Sequence, residues 1–125
     1  MQLLLDTNVL LWYFWHSPRI ASVKDLIGSE AVQVYVSVVS WWEITIKIRA
    51  GKLPLDIDEI RAFAEKYAFL ELPITGAFIK AYRELPNLHR DPFDHMLLAQ
   101  ALTGPMRLIT GDAILGEYSS LVMVI

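Results

Sequence analysis

The sequence has no cysteine among its 125 residues, which excludes disulfide frameworks, thiolate metal sites and cysteine nucleophiles. It also has no excess of positive charge, because 11 Lys and Arg residues stand against 14 Asp and Glu residues, a formal net charge of −3 at pH 7. This balance argues against nucleic-acid binding driven by charge alone. A phosphate substrate held through a metal ion is still compatible with it.

Long hydrophobic runs are also scarce. The most apolar stretch near the N-terminus, residues 9–15, is far shorter than the roughly 20 residues that cross a bilayer. Asp6 interrupts the first apolar run, and no Lys or Arg precedes that run as in a signal peptide. The sequence therefore predicts a cytoplasmic protein with no membrane partner.

Apolar residues, by contrast, are abundant. They make up 54% of the chain, charged residues make up only 20%, and the mean hydropathy is +0.38. The length matches one domain, since domains usually have about 100 to 200 residues. A chain this short has a high surface-to-volume ratio and cannot easily bury so much apolar surface as a monomer. We therefore expect an interface with a partner or with a second copy.

Segments typical of strands alternate with helical segments along the chain. Strands are predicted at residues 3–5, 32–39, 69–72, 106–110 and 121–125. Helices are predicted between them, and the clearest lie at residues 57–67, 78–85 and 92–102. Because each crossover returns the chain in the same direction, this pattern predicts the α/β class, with helices on both faces of a parallel sheet of four to five strands.

Four of the acidic residues stand among apolar neighbours: Asp6, Glu43, Asp94 and Asp112. Three of them follow predicted strands, and Asp94 opens the helix that leads into the strand at 106–110. The carboxyl ends of parallel strands meet at one edge of a sheet, where ligands bind. Four carboxylates crowded there cannot all stay ionised without a cation. Since oxygen ligands favour hard cations, Mg²⁺ or Mn²⁺ is expected.

A carboxylate-held metal is suited to phosphate chemistry, because it lowers the pKa of a water and stabilises charge on phosphoryl oxygens. Phosphodiester hydrolysis is therefore the reaction that this acid set predicts. Basic residues lie near the acids in the sequence, and Lys47 and Arg90 are the candidate substrate-binding residues. His89 and His95 flank Asp94 but are not spaced as metal ligands.

Four motifs together resemble those of the PIN-domain nucleases, in particular the VapC-type toxin ribonucleases of type II toxin–antitoxin pairs. They are LLLDTN at residues 3–8, SWWEI at 40–44, HRDPFD at 89–94 and LITGD at 108–112. The resemblance covers residues 1–125 and implies one PIN-like nuclease domain, a three-layer α/β/α sandwich.

The resemblance also implies a function. It implies a Mg²⁺- or Mn²⁺-dependent endoribonuclease that leaves a 5′-phosphate and a 3′-hydroxyl, forms a homodimer and is inhibited by a cognate antitoxin protein. The family's catalytic and metal-binding acids match four positions of this sequence: Asp6, Glu43, Asp94 and Asp112.

Some of these residues have structural alternatives. Asp91 competes with Asp94 for the third acid position, although its place before a proline is typical of a helix N-cap. Glu43 is also typical of a capping box begun by Ser40, or of an ion pair with Lys47 four residues later.

Other supporting roles are open in the same way. Thr7, Asn8 and Thr110 carry oxygens or amides that orient the acids, or they serve as turn and cap residues. Asp112 either binds the metal directly or assists through a water. Asp6, directly after three leucines, has no evident capping role.

Two aromatic runs, at residues 12–15 and 41–42, offer flat rings on which RNA bases stack. Packing is the simpler interpretation. Because the two runs exceed what a small core absorbs, we assign part of them to a dimer contact or to a groove for an antitoxin helix.

Two other classes of protein share part of this pattern. A signalling receiver domain has the same length and alternation and an acid cluster that binds Mg²⁺, but it needs paired acids after the first strand and a lysine after the last. The sequence has neither feature. A catalytically inactive PIN-fold binding module is the second alternative, and the presence of all four acids disfavours it.

Overall fold

The computed structural model describes residues 1–87 and 91–125, and in these residues strands alternate with helices. The strands are β1 (Gln2–Leu5), β2 (Gln33–Ser37), β3 (Leu70–Leu72), β4 (Arg107–Thr110) and β5 (Val122–Val124). The helices are α1 (Thr7–Phe14), α2 (Lys24–Ile27), α3 (Val38–Arg49), α4 (Ile57–Lys66), α5 (Gly76–Glu84), α6 (Pro92–Thr103) and α7 (Ala113–Gly116), with a short 3₁₀ helix at Pro18–Ile20.

The described strands form one parallel sheet in the order β3-β2-β1-β4-β5. Strand β1 is central, with Leu3 opposite Val34 of β2 on one side and Arg107 of β4 on the other. The predicted parallel sheet is confirmed, and its five described strands fall within the expected range.

Alternate side chains of β1 enter two hydrophobic cores on opposite faces of the sheet. Leu3 and Leu5 lie in the first core and Leu4 lies in the second, and all three are fully buried. Residues of α1, α3 and α4 complete the first core, and residues of α6 and α7 complete the second. Burial on both faces explains the uninterrupted leucine run and confirms the three-layer α/β/α arrangement.

The direction of the chain reverses beside β1. From β1 the chain proceeds outward to β2 and then β3, and it later returns to form β4 on the opposite side of β1. Helix α1 follows β1 onto the first core, whereas α7 follows β4 onto the second. The two connections therefore diverge and leave a crevice at the carboxyl ends of β1 and β4, the position where α/β sheets bind ligands.

The start of α3 differs from the sequence-based prediction. The strand expected to reach residue 39 ends at Ser37, whose hydroxyl accepts a hydrogen bond from the Val39 amide at 3.1 Å and caps the helix. Ser40 lies inside the first turn, so the capping box assigned to Ser40 and Glu43 is wrong. The β-branched residues around Val38 are typical of strands, but the Ser37 cap turns the chain before them.

The tryptophans of the two aromatic runs have different surroundings. Trp41 is only 8% exposed and packs in the first core, in agreement with the packing interpretation of this residue. Trp42 is 59% exposed and Trp15 is 47% exposed.

Within the described residues, none of the helices combines the length and the apolar character needed to cross a membrane.

Candidate active site

Asp6 lies directly after β1, at the centre of the crevice. One carboxylate oxygen, Oδ1, accepts a hydrogen bond from the Val9 amide at 2.8 Å and caps α1. The other, Oδ2, accepts one from the Thr110 hydroxyl at 2.5 Å. The expectation that Asp6 has no cap to make is therefore wrong, because the chain enters α1 at the next residue. Asp6 is a cap and a candidate ligand at once.

Burial dominates the electrostatics of Asp6. The side chain is 3% exposed, and loss of hydration raises its pKa from 3.8 to about 6, against the lowering effect of the hydrogen bonds from Thr110 and Val9. The negative charge of Glu43 contributes to the same rise. A cation placed beside Asp6 would relieve both unfavourable effects.

Thr110 connects the ends of the two strands that flank the crevice. Its hydroxyl donates to Asp6 and accepts a hydrogen bond from the Asp112 amide at 3.0 Å. The backbone amide of Gly111 also acts to lower the pKa of Asp6. The supporting role predicted for Thr110, orientation of the acids, agrees with these contacts.

Asp94 and Asp112 face the same crevice as Asp6. The three aspartates line an open cavity of about 350 Å³ together with Asn8. Asp112 also caps α7, since its Oδ1 accepts a hydrogen bond from the Ile114 amide at 2.9 Å. The structure therefore brings three of the four predicted acids, and one predicted supporting residue, to one cavity.

Glu43 approaches from α3, where it is 7% exposed. Its Oε2 forms an ion pair with Lys47 Nζ at 2.9 Å, so the alternative of a pair four residues apart is confirmed. Its Oε1 is buried and has no hydrogen-bond partner among the described residues. Lys47 is thus held by Glu43 and is absent from the described lining of the aspartate cavity.

These residues fit a hard divalent cation by their chemistry. The donors are carboxylate and hydroxyl oxygens, a buried oxygen of Glu43 lacks a described partner, and burial raises the pKa of Asp6. Among the described residues, no three acidic or histidine side chains are close enough together to form a preassembled metal site.

The remaining predicted residues have varied positions. The Thr7 hydroxyl donates to the Ser40 hydroxyl at 3.0 Å and joins α1 to α3. Asp91 caps α6 as predicted, because its Oδ1 accepts hydrogen bonds from the amides of Phe93 and Asp94. Arg90, like its neighbour His89, lies outside the described residues. The ring of His95 is buried and lies 3.2 Å from the Tyr118 hydroxyl, as expected of a structural residue.

Of the charged residues that line the cavity, Arg19 was missed by the sequence analysis, whereas its neighbour Trp12 belongs to the aromatic run at residues 12–15. The guanidinium of Arg19 lies 4.2 Å from the centroid of the Trp12 ring. No motif signals this pair, since a turn in the chain brings together residues that belong to separate helices. The Pro18–Arg19 start of the 3₁₀ helix after an aromatic run was the only available hint.

The chain is similar to known proteins in its fold and in its family. None of the curated proteins matches the chain. Among solved structures, a chain of the crystal structure of VapBC2 from Rickettsia felis bound to a DNA fragment from their promoter matches with a TM-score of 0.72. The match covers 100% of this chain and 98% of that chain at 13% sequence identity, and such a likeness concerns the fold.

The family comparison is more specific. Residues 3–121 match the model of the PIN domain, which includes β1, the acids of the crevice and β4. PIN domains are generally nucleases, and they generally use divalent metal ions. Since the match spans nearly the whole sequence, this chain belongs to the PIN-domain family.

Proposed function

We propose that this protein is a metal-dependent endoribonuclease and the toxin of a toxin–antitoxin pair. It hydrolyses RNA phosphodiester bonds with water as the nucleophile and leaves a 5′-phosphate and a 3′-hydroxyl. The cofactor is Mg²⁺ or Mn²⁺, and the reaction takes place in the cytoplasm on cellular RNA.

One observation carries this proposal. A deeply buried aspartate, Asp6, stands at the point where the chain reverses direction in the sheet, and Asp94 and Asp112 line the same cavity. A buried carboxylate is costly unless a cation or strong donors meet it. Because the buried carboxylate of Asp6 lies at a crevice where such sheets bind ligands, its unfavourable burial favours a functional role over a structural one.

The acids have distinct tasks in the proposed reaction. Asp6, Asp94 and Asp112 would hold the metal from three elements, and the unpartnered Oε1 of Glu43 would complete the set. Bound there, a divalent cation supplies a water of lowered pKa and neutralises charge on the phosphoryl oxygens. Thr110 fixes the rotamer of Asp6 through its hydroxyl. Asp112, at the edge of the cavity, binds either the metal or a water that contacts it.

A cleavage assay tests the proposal. The pure protein is incubated with structured RNAs in the presence of Mg²⁺, Mn²⁺ or a chelator, and the ends of the products are mapped. We expect cleavage that the chelator abolishes. Asp6→Asn should lower the cleavage rate by about two orders of magnitude or more, since removal of one group that stabilises charge at a reacting centre commonly costs that much. Asp25→Asn, at an exposed position, is the matched control and keeps full activity.

The same assay separates the alternatives. Cleavage that persists with chelator and with Asp6→Asn contradicts a metal mechanism. Binding of RNA without any cleavage would instead favour an inactive PIN-fold module. The PIN-domain match already favours a nuclease over a receiver-like signalling domain.

The partner assignments belong to this proposal as well. The R. felis structure with the same fold is named as VapBC2 bound to promoter DNA, which supports an antitoxin protein as a partner here. A small antitoxin gene next to this one, whose product copurifies with the protein and blocks its activity, is the expected finding. Copurification without inhibition would contradict the toxin assignment.

We also propose a homodimer. The exposed side chain of Trp42 stands beside an apolar cavity of about 200 Å³ between α3, α5 and α6. Its walls are formed by Val39, Trp42, Ile74, Tyr82, Pro92, Phe93 and Met96. A second exposed apolar side chain, Ile79, lies on α5 and is 57% exposed. Exposed apolar surface of this kind is typical of protein interfaces.

A further inference from the structure

We propose that Arg19, stacked on Trp12, binds a phosphate of the nucleic-acid substrate at the rim of the aspartate cavity. The inference rests on the proposed nuclease function and adds a binding residue that none of the sequence motifs contains. Among the described residues that line this cavity, Arg19 is the one cation, facing Asp6, Asp94 and Asp112.

The local chain geometry holds Arg19 in place. His16 adopts a left-handed conformation (φ 53°), which reverses the chain after α1. The Ser17 amide then donates to the Trp12 carbonyl at 2.8 Å, and the Ser17 hydroxyl accepts from the Arg19 amide at 3.2 Å. These bonds fix the turn, and across it the guanidinium of Arg19 lies 4.2 Å from the centroid of the Trp12 ring. Stacking on an indole restricts a side chain that is otherwise very flexible.

The guanidinium of Arg19 keeps N–H donors that no carboxylate of the described residues accepts. It makes no ion pair with a carboxylate of the described residues, although three aspartates line the same cavity. A guanidinium has five N–H donors in a planar fork that matches two phosphate oxygens. The acids repel a polyanion, so a fixed cation at the rim gives an incoming phosphate a favourable contact. Arg19 therefore acts in substrate binding.

Gly111 is part of the same arrangement. A Cβ added to Gly111 would lie 2.5 Å from Cη2 of Trp12, closer than side-chain atoms approach one another. The missing side chain thus lets the indole lie against the loop between β4 and α7, next to Asp112. Gly111 and Trp12 position Arg19, which alone of the three would touch the substrate.

Kinetics and binding test the inference together. We expect Arg19→Ala to raise KM for a cleaved RNA about tenfold and to change kcat less than about twofold, as loss of one charged hydrogen-bonded contact predicts. Binding of a fluorescein-labelled single-stranded RNA to the Asp6→Asn protein, followed by anisotropy, should weaken by a similar factor. The slope of log affinity against log salt should flatten by about 0.7, the value for one phosphate contact to a single strand.

Arg61→Ala is the matched control. Arg61 also lies over a tryptophan, at 5.3 Å from the Trp41 ring, but it lines a different cavity and pairs with Glu71. This variant should leave KM and the salt slope unchanged. Arg19→Lys should keep the salt slope and recover only part of the affinity, because an ammonium keeps the charge but not the planar fork.

The outcomes separate this inference from the proposed function. If the wild type cleaves RNA while Arg19→Ala has the same KM and salt slope, the inference is overturned and the nuclease proposal stands. If the wild type cleaves no RNA, the nuclease proposal fails, and the anisotropy measurement still decides whether Arg19 contacts a phosphate. A loss of thermal stability in Arg19→Ala, without weaker RNA binding, would show a structural role and contradict the inference.

Discussion

Asp6 combines two tasks that usually belong to different residues. As an N-cap it accepts a hydrogen bond from Val9, and as a candidate ligand it has a second oxygen held by Thr110. Burial makes the ionised form unfavourable and raises the pKa of Asp6 to about 6. The ionised carboxylate of Asp6 therefore carries a cost in stability when no cation lies beside it.

That cost predicts a pH dependence of stability. The pKa of Asp6 in the folded protein, about 6, lies above its ordinary value of 3.8, so the native state binds the proton first. The free energy of unfolding should then fall as the pH rises from about 4 to about 6 and level off above, by up to about 3 kcal/mol since each pKa unit is about 1.4 kcal/mol. Urea unfolding with a chelator present measures it.

The comparison with Asp6→Asn isolates this residue. The variant should lack the fall that is due to Asp6 and be the more stable protein above about pH 6. Asp25→Asn, at an exposed position, should follow the wild type. Equal slopes for the wild type and Asp6→Asn would show that Asp6 is ionised normally in the folded protein.

At the scale of elements, helix starts determine where the acids lie. Asp6, Asp91 and Asp112 each cap a helix whose N-terminus opens toward the crevice side of the sheet. Caps favour aspartate because its carboxylate accepts from orphan amides and meets the positive end of the helix dipole. A cap and a catalytic acid can therefore look identical in sequence. In the structure, Asp91 caps α6, whereas Asp94 lines the aspartate cavity.

Variants of these two residues should separate stability from activity. Asp91→Ala should lower the free energy of unfolding by about 1 kcal/mol, since a cap is lost, whereas Asp91→Asn should keep both stability and activity. Asp94→Asn should keep stability and lose activity. Chemical denaturation and RNA cleavage measure the two effects. Loss of activity in Asp91→Asn with full stability would transfer the third acid role to Asp91.

At the scale of the whole molecule, the cavity exists only because three separate elements meet. Asp6 follows β1, Asp94 lies on α6 and Asp112 follows β4. A cation that joins them should link these elements and stabilise the fold. At about 100 times its Kd, such a ligand adds about 2.7 kcal/mol to the free energy of unfolding.

Thermal unfolding with increasing Mn²⁺ or Mg²⁺ tests this linkage. The wild type should melt at a higher temperature as the metal concentration rises, and Asp94→Asn should respond less. Na⁺ at matched ionic strength serves as the control for charge screening. An equal response of the two proteins would place the metal away from the aspartate cavity.

The proposed dimer is also a property of the whole molecule. Trp42→Ser should yield a monomer in analytical ultracentrifugation where the wild type is a dimer, because the exposed indole next to the apolar cavity is removed. Trp15→Ser is the control, since Trp15 is exposed after α1 and does not line that cavity. A wild type that stays monomeric at high concentration would contradict the dimer.

The sequence by itself determined the architecture of the sheet. Short apolar runs separated by helical segments are typical of a parallel sheet that helices bury on both faces. The same topology places residues that follow strands at one edge, so the sequence alone places Asp6 and Asp112 there. The hydrophobic periodicity and the strand ends depend on neighbouring residues, and such local features can be predicted from the sequence.

The tertiary structure alone decided the contacts between distant residues. Thr110 and Asp6 are 104 positions apart and share a hydrogen bond, and Arg19 meets Trp12 only after the turn at His16. Ser37, and not Ser40, caps α3. Neither spacing nor propensity encodes such pairs, because they depend on how packed elements orient side chains toward one another. The sheet follows from the hydrophobic pattern, whereas the chemistry of the crevice follows from the packing.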